Sequence, residues 1–247
     1  MKRFDFSLER LYEIKCRLFS PEDGIVDHVI LGVHGFAGDK DSSMLEKLGG
    51  MVCENKGAMI CFDFPAHGAS PVGEDMLTVE NCKEDLLRVM EYASERYPQA
   101  EKSVFATSFG GYITILCAEK LGKASLVLRS PAVTMAKVLL ENVLQIDEEA
   151  FKAKGVVECG FERPLKLPYS FYEDLLKQEC IFCKDLLLPT MIIHGDRDDT
   201  VPLEDVEAFV MVMGNVPLEI IAGADHRFKH PGERETILCL TKEFLKL

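Results

Sequence analysis

The first patterned stretch of the chain alternates apolar and charged residues. From Tyr12 to Leu18 every second residue is apolar, and the residues between them are charged. A period of two predicts an antiparallel strand with one face in the core and one in solvent. The turn-forming residues of SPEDG, positions 20–24, follow this strand. We therefore expect a hairpin that leads from it into the next strand.

Further along, short apolar runs alternate with longer segments of helical spacing. A continuous apolar run predicts a strand that is buried on both faces, and capped segments of helical spacing predict amphipathic helices. Such an alternation specifies an α/β fold with a mostly parallel sheet flanked by helices. The expected strands are 28–34, 58–64, 102–108, 124–130, 189–195 and 217–223, and the expected helices are 41–57, 78–98, 109–121, 203–214 and 233–247.

One segment, residues 131–184, breaks this alternation. It has helical spacing interrupted by glycines and lacks the pattern of a central strand. We expect this segment to be a small cap insertion over one end of the sheet. The rest of the chain, residues 1–130 and 185–247, would then form the core domain.

Charge and cysteine content restrict the partners and the compartment. The chain of 247 residues has 28 Lys and Arg against 41 Asp and Glu, a formal charge of −13. This balance argues against nucleic acid or an anionic membrane as partner. The start of the chain lacks the apolar core of a signal peptide, no apolar run is long enough to span a bilayer, and the nine cysteines are an odd number. We expect a cytoplasmic protein. A homodimer is compatible with the sequence, although no residue pattern establishes one.

No cofactor is expected from the sequence. Cys180 and Cys183 form the one C-x-x-C pair, but it lacks the strand-to-helix context of a redox motif and the second pair of a zinc site, so we interpret it as two packed thiols. His194 with Asp196 and Asp198 suggests a metal site, yet no further histidine at helical spacing completes it. Neither a dinucleotide fingerprint nor a Walker sequence occurs.

Chemically useful residues follow the predicted strands. In chain order these motifs are HGFAGDK, FDFPAHGAS, FATSFGGY, HGDRDDTVP and IIAGADHRF. In open α/β sheets, active residues gather at the carboxyl ends of the strands. The five motifs, in this order over nearly the whole chain, resemble those of the α/β-hydrolase-fold serine hydrolases. More narrowly, the sequence resembles the small bacterial cinnamoyl or feruloyl esterases that are often described as serine aminopeptidase-like.

Ser108, in FATSFGGY, is the candidate nucleophile. The strand-to-helix elbow that carries such a serine needs small residues two positions before and after it. Gly110 and Gly111 supply the downstream side, whereas Ala106 stands where the usual motif has glycine. The alternative is that Ser108 is an ordinary N-cap of the helix that starts at Phe109. Matching acidic and histidine residues downstream favour the nucleophile.

His226 and one of three aspartates would complete a triad. His226 follows the last strand, where the fold places the general base. Asp196, Asp198 and Asp199 all lie in one loop, and each has the alternative role of a turn residue. The family pattern G-x-x-D-x-x-V, which starts at Gly195, implies Asp198 as the acid, with Asp196 in reserve.

An oxyanion hole needs two backbone N–H donors. One would be the N–H of Phe109, the residue after the nucleophile, and the resemblance points to the N–H of Phe36 as the other. We expect His34 to brace the loop of Phe36 by hydrogen bonding and His67 to have a structural role. The remaining histidines, His28 and His230, are expected at the surface or in loops.

The triad does not name the acyl group, which the insertion would select. Its aromatic residues Tyr169, Phe171 and Tyr172 are candidates for substrate contact, with packing against the core as the alternative. The resemblance implies a carboxylesterase that acts on small esters, with aromatic hydroxycinnamoyl-type esters as candidates. The alternatives are an aminopeptidase or other peptidase, a thioesterase, a C–C bond hydrolase, and a non-catalytic α/β-hydrolase-like binding protein.

Overall fold

The computed structural model describes residues 1–22, 24, 26–160, 164–178, 180 and 186–247. The strands are β1 Lys2–Glu9, β2 Glu13–Ser20, β3 His28–Val33, β4 Gly57–Phe62, β5 Glu101–Thr107, β6 Ser125–Arg129, β7 Val156–Cys159, β8 Leu165–Pro168, β9 Thr190–Gly195 and β10 Leu218–Ile221. The α-helices are α1 Ser43–Glu54, α2 Val79–Arg96, α3 Phe109–Cys117, α4 Met135–Lys137, α5 Glu148–Lys154, α6 Tyr169–Leu176, α7 Leu203–Met213 and α8 Glu233–Leu245. Among the described residues, no helix is both long enough and apolar enough to cross a membrane.

Eight of these strands form one sheet in the order β1-β2-β4-β3-β5-β6-β9-β10. The six strands β4, β3, β5, β6, β9 and β10 run parallel to one another, and the pairs β1–β2 and β2–β4 are antiparallel. Successive residues of a strand point to opposite faces. Leu31 of β3 thus packs in the core cluster that includes residues of α2 and α3, and Ile30 packs in the one with residues of α1 and α8. The predicted α/β fold, a mostly parallel sheet flanked by helices, is confirmed.

The predicted hairpin from β2 into β3 is wrong. β2 forms its hairpin with the preceding strand, pairing Ile14 with Leu8 of β1, and its other edge pairs with β4 through Leu18 and Ile60. Both edges of β3 are occupied by the parallel strands β4 and β5. The connection from β2 to β3 is therefore a crossover past β4 instead of a hairpin.

A buried polar network fastens this hairpin to α2. The Tyr12 hydroxyl donates to Asp85 Oδ2 at 2.8 Å, and Arg10 Nε donates to Asp85 Oδ1 at 2.7 Å. The Asp85 side chain is fully buried, and burial raises its pKa to about 6. Because both carboxylate oxygens accept a hydrogen bond, the hairpin is anchored by charged contacts in addition to its ladder.

The described residues of 131–184 add no strand to the large sheet. They form α4, a π-helix over Val138–Leu144, α5, the separate antiparallel pair β7–β8, and α6. Several side-chain hydrogen bonds join the described residues of this segment to the core, and two of them reach α2 and α7. Asp174 Oδ2 of α6 accepts the N–H of Val79, the first residue of α2, at 2.7 Å, and the Thr134 hydroxyl donates to Asp205 Oδ2 of α7 at 2.8 Å. The first contact satisfies one of the N–H groups that a helix start leaves unpaired.

Candidate active site

The three candidate catalytic residues follow strands, at the carboxyl-terminal end of the parallel sheet. Ser108 directly follows β5, Asp198 follows β9, and His226 follows β10. In the sheet, β5, β6, β9 and β10 are successive parallel neighbours. Their carboxyl ends therefore lie at the same end of the sheet, which is where ligands bind in open α/β sheets.

Ser108 sits on a strained turn between β5 and α3. Its φ of 50° and ψ of −115° lie in a region that side chains other than glycine rarely adopt. The turn is fixed by its backbone: Ser108 N–H donates to the Arg129 carbonyl at 2.9 Å, and its carbonyl accepts the N–H groups of Tyr112 and Ala132 at 3.1 Å. Although Ser108 is at the N-cap position, its side chain makes no capping hydrogen bond. Its backbone geometry is that of a strained strand-to-helix elbow, and its hydroxyl does not act as a helix cap.

The small residues around Ser108 are required by close backbone approach. A Cβ on Gly110 would lie 2.5 Å from the His34 carbonyl oxygen, and a Cβ on Gly111 would lie 2.8 Å from Cβ of Pro131. Upstream, Ala106 is fully buried in β5. The elbow therefore forms with alanine in place of the usual glycine, while the downstream glycines have no room for a methyl group.

Asp198 and His226 form a hydrogen-bonded pair. His226 Nδ1 donates to Asp198 Oδ2 at 2.8 Å. Asp198 Oδ1 accepts the backbone N–H groups of Thr200 at 3.0 Å and Val201 at 2.8 Å, and the side chain is fully buried. Burial alone would raise the pKa of Asp198, but these hydrogen bonds and the His226 ring hold it below its ordinary value. An ionised carboxylate therefore holds His226 with its proton on Nδ1.

The other two aspartates of this loop point elsewhere. Asp196 Oδ1 accepts the N–H of Gly223 at 2.6 Å, and Asp199 Oδ1 accepts the Thr200 hydroxyl at 3.2 Å. Both residues are exposed. The structure brings Asp198 to His226 and leaves Asp196 and Asp199 as turn residues. In the part of the chain that the structure describes, no three His, Cys, Asp or Glu side chains come together as a metal site requires.

The loop after β3 lies directly against the elbow. A Cβ on Gly35 would be 3.3 Å from Cβ of Ser108, and the Gly38 N–H donates to the Gly35 carbonyl at 3.0 Å to close the turn. Phe36, the predicted donor, is the next residue of this turn. Phe109 is the first residue of α3, where an α-helix leaves its N–H without an intrahelical acceptor. The two predicted oxyanion donors thus flank the serine.

Two histidines brace this loop against the one after β4. His34 Nε2 accepts the N–H of Phe64 at 3.1 Å, and His67 Nε2 accepts the N–H of Ala37 at 3.0 Å. Their Nδ1 atoms lie 2.8 Å from the carbonyls of Gly35 and Pro65, respectively. The bracing role predicted for His34 is present in the structure. The sequence analysis missed that His67 braces the same loop, because only the pairing of β3 with β4 brings the two loops together.

Three aromatic rings pack together beside the loop after β3 and the start of α3. Phe36 lies 5.8 Å from Phe109 and 6.0 Å from Phe171 between ring centroids, and Phe109 lies 6.1 Å from Phe171. Tyr169 and Tyr172 instead pack against Phe151 within the 131–184 segment, at 5.3 and 6.1 Å. Of the three predicted substrate contacts, Phe171 is the one that the structure brings to Phe36 and Phe109.

The remaining predictions concern histidines and cysteines away from the elbow. His28 is buried, and its Nε2 lies 2.7 Å from the Ser103 hydroxyl. Its predicted surface or loop position is wrong, because it begins the buried strand β3, whereas His230 is exposed. Cys180 is buried, with its thiol 3.8 Å from the Tyr112 carbonyl. Cys183 lies outside the described residues, so the packing of the pair stays a prediction.

A family comparison agrees with this geometry. The family model described as serine aminopeptidase, S33, matches residues 24–163. The chain belongs to this family. A search of curated protein sequences finds no match.

Solved structures similar to this S33 family member share its fold at low identity. Est1E from Butyrivibrio proteoclasticus, solved with ferulic acid bound, has a TM-score of 0.83 and 21% identity, over 98% of this chain and 100% of that one. Mouse alpha/beta hydrolase domain-containing protein 10 has a TM-score of 0.77 and 18% identity, over 98% of both chains. The Pyrococcus furiosus esterase Pf2001 has a TM-score of 0.77 and 18% identity, over 99% of this chain and 92% of that one. The α/β-hydrolase fold implied by the sequence resemblance is confirmed.

Proposed function

We propose that this S33 family member is a serine hydrolase that cleaves small carboxylic esters with Ser108, His226 and Asp198. One observation carries the proposal: His226 Nδ1 donates a 2.8 Å hydrogen bond to the buried Asp198, at the same carboxyl-terminal end of the sheet as the strained Ser108 turn. A histidine held in this way keeps its Nε2 free to take a proton from a hydroxyl. A strained turn presents the Ser108 hydroxyl at this end of the sheet.

In the acylation step, Ser108 Oγ attacks the carbonyl carbon of the ester while its proton passes to His226 Nε2. The N–H groups of Phe36 and Phe109 donate to the carbonyl oxygen as it becomes an oxyanion. When the tetrahedral intermediate collapses, the bond to the alkoxy oxygen breaks. The alcohol leaves with the proton that His226 returns, and the acyl group stays on Ser108.

In the deacylation step, a water molecule takes the place of the alcohol. It gives a proton to His226 Nε2 and attacks the acyl carbon, and the same two N–H groups stabilise the oxyanion. The bond to Ser108 Oγ then breaks, the serine recovers its proton from His226, and a carboxylic acid is released. Asp198 stays ionised in both steps and stabilises the imidazolium.

The aromatic rings around the elbow support an aromatic acyl group. Phe36 and Phe171 lie nearly parallel, with an interplanar angle of 18°; Phe171 is buried, and Phe36 is half-buried, so Phe36 is the ring of this pair that a substrate can reach. A planar substrate ring gains favourable stacking or edge contacts beside such rings. The similar structure of Est1E holds ferulic acid. We therefore rank hydroxycinnamoyl-type esters above aliphatic ones.

The first experiment compares wild type with Ser108→Ala by labelling with a fluorescent fluorophosphonate. Labelling of wild type alone supports an activated serine, and labelling of neither protein contradicts the proposal. Asp198→Asn and Asp196→Asn form a matched pair in the same loop. We expect the first to lower kcat for a p-nitrophenyl ester by about 10⁴-fold. The second should stay within about threefold of wild type, because Asp196 bonds a backbone N–H away from His226.

The substrate class is tested with hydroxycinnamate and acetate esters. Phe171→Ala removes the buried ring that packs against Phe36, and it should lower kcat/KM for the hydroxycinnamate by about tenfold, or about 1.4 kcal/mol, because Phe36 then loses its support. The acetate ester should change less than threefold. Tyr169→Phe is the control, since it removes only the hydroxyl that donates to Glu148. Equal losses on both esters would argue against an acyl site beside Phe36.

A second candidate is an aminopeptidase, which the description of the matched family favours. The same triad can attack an amide, so the protein must be compared on an aminoacyl p-nitroanilide, the matching ester and an acyl-thioester. A kcat/KM for the amide above that for the ester would replace the esterase proposal, and a thioester preference would make the protein a thioesterase.

A further inference from the structure

His194 lies behind the candidate acid at the end of β9. Its side chain is fully buried, and its Nε2 lies 3.4 Å from Asp198 Oδ2. The same oxygen accepts the 2.8 Å hydrogen bond from His226 Nδ1. The carboxylate of Asp198 is therefore placed between two imidazole rings, of which the triad uses one.

His194 and Asp198 hold the same residue of the loop. The Val201 carbonyl can only accept, so His194 Nε2 donates to it, at 3.0 Å. The Val201 N–H in turn donates to Asp198 Oδ1 at 2.8 Å. Both polar groups of the Val201 backbone are thus engaged, one by each side chain. This pair of hydrogen bonds closes the loop 195–201 around the carboxylate.

The His194 ring is suited to remain neutral. Its Nδ1 is buried without a hydrogen-bond partner among the described residues, so a proton on that nitrogen would be an unsatisfied buried donor. Burial also lowers the pKa of His194. The charged or titratable groups that act on the ring are Asp198, His226 and Glu207. His194 is therefore an Nε2–H donor whose acceptors are the Val201 carbonyl and, at longer range, Asp198.

We infer that His194 is a positioning residue for Asp198. Its hydrogen bond to the Val201 carbonyl, called the clamp below, fixes the loop 195–201 and so keeps the Asp198 carboxylate directed at His226. This inference rests on the proposed function. Catalysis by a triad depends on the carboxylate holding the general base in one tautomer and orientation. A displacement of about 1 Å in such a constellation costs about 10²-fold in rate. Loss of the clamp should therefore lower kcat and leave KM unchanged.

Three substitutions separate the Nε2 donor from the rest of the ring. The His194→Gln amide reaches the position of Nε2, the shorter His194→Asn amide reaches that of Nδ1, and His194→Leu removes the donor. If the leucine variant does not fold, the two amides still decide the question, because both are polar. His28→Gln is the control: His28 is a buried histidine in β3 with one side-chain hydrogen bond, to Ser103.

Two readouts are needed, ester kinetics and the Nδ1–H proton resonance of His226. We expect His194→Asn and His194→Leu to lose at least about tenfold in kcat with KM within about twofold, and to lose or broaden the resonance. His194→Gln and His28→Gln should keep both. Wild-type kcat with an intact resonance in His194→Asn would overturn the inference, and so would equal losses in His194→Gln and His194→Asn. If wild type proves inactive on every substrate, the proposed function fails, but the resonance still tests the clamp.

Discussion

His34 and His67 each accept a backbone N–H from the loop that carries the other histidine. His34 receives the N–H of Phe64, and His67 receives that of Ala37. Because each Nδ1 faces a carbonyl oxygen, which can only accept, both rings carry their proton on Nδ1 and are neutral. The reciprocal brace sets the position of the turn that holds Phe36, and through it one of the proposed oxyanion donors.

Replacing His67 should therefore weaken catalysis at a distance. His67→Leu leaves the Ala37 N–H without its acceptor, which should cost about 1–3 kcal/mol of the free energy of unfolding. A displaced Phe36 donor should lower kcat for an ester by about 10²-fold, with KM unchanged. Urea unfolding and steady-state kinetics check the two effects. The exposed His230→Leu is the control, and a wild-type kcat in His67→Leu would show that the brace does not position the donor.

The strain at Ser108 should be measurable as stability. Relief of its backbone strain contributes about 1–3 kcal/mol, and the extra freedom of glycine in the unfolded chain removes about 0.5–1 kcal/mol. Ser108→Gly should thus unfold with a free energy about 1 kcal/mol above that of Ser108→Ala, although both lack the hydroxyl. Equal stabilities in urea unfolding would mean that the turn is unstrained.

Ala106 and Gly110 should respond differently to the exchange of one methyl group. Ala106→Gly removes a buried methyl and adds glycine to a central strand, for a loss of about 1–2 kcal/mol in the free energy of unfolding. Its kcat should stay within twofold, because the elbow already forms with alanine. Gly110→Ala places a methyl 2.5 Å from the His34 carbonyl oxygen and should lower both stability and kcat. Esterase kinetics on the two variants, with stability measured in parallel, provide the test.

The buried histidines should make stability depend on pH. Burial lowers the pKa of His28, His34 and His194 in the folded protein, whereas histidines in the unfolded chain keep a pKa of about 6.5. Below that pH the unfolded state binds more protons than the folded state. The free energy of unfolding therefore has its full value above about pH 6.5 and falls as the pH decreases toward the lowered pKa values of the folded state.

Urea unfolding between pH 8 and 5 measures this slope, and His28→Gln should flatten it by removing one titration. Asp85 acts in the opposite direction: burial raises its pKa to about 6, so its contribution grows as the pH falls from 6 to about 4. Asp85→Asn should consequently steepen the loss below pH 6. A His28→Gln protein with the wild-type slope would refute the assignment.

Patterns among residues that are close in sequence predicted most of the fold and of the candidate site. The buried strands and the order of serine, aspartate and histidine were visible because apolar runs and chain order need no tertiary information. The partner of β2 was not, since alternation fixes a strand but not which edge it pairs with. Asp198 could be separated from Asp196 and Asp199 only by the family pattern, because all three have the same chemistry. The contacts of His67 depend on two loops that meet through the sheet, and those of His194 depend on how the loop 195–201 folds back on its own strand. No local signal marks either set of contacts.

Asp174 carries a consequence for how this chain can diverge. By accepting the N–H of Val79, it makes the 131–184 segment complete the first turn of a helix that belongs to the core. A segment exchanged for that of a relative, however well it suits a new acyl group, removes this acceptor unless it brings one to the same place. If this segment selects the acyl group as predicted, selectivity and folding are inherited together, and gradual change within the segment is easier than its replacement as a block.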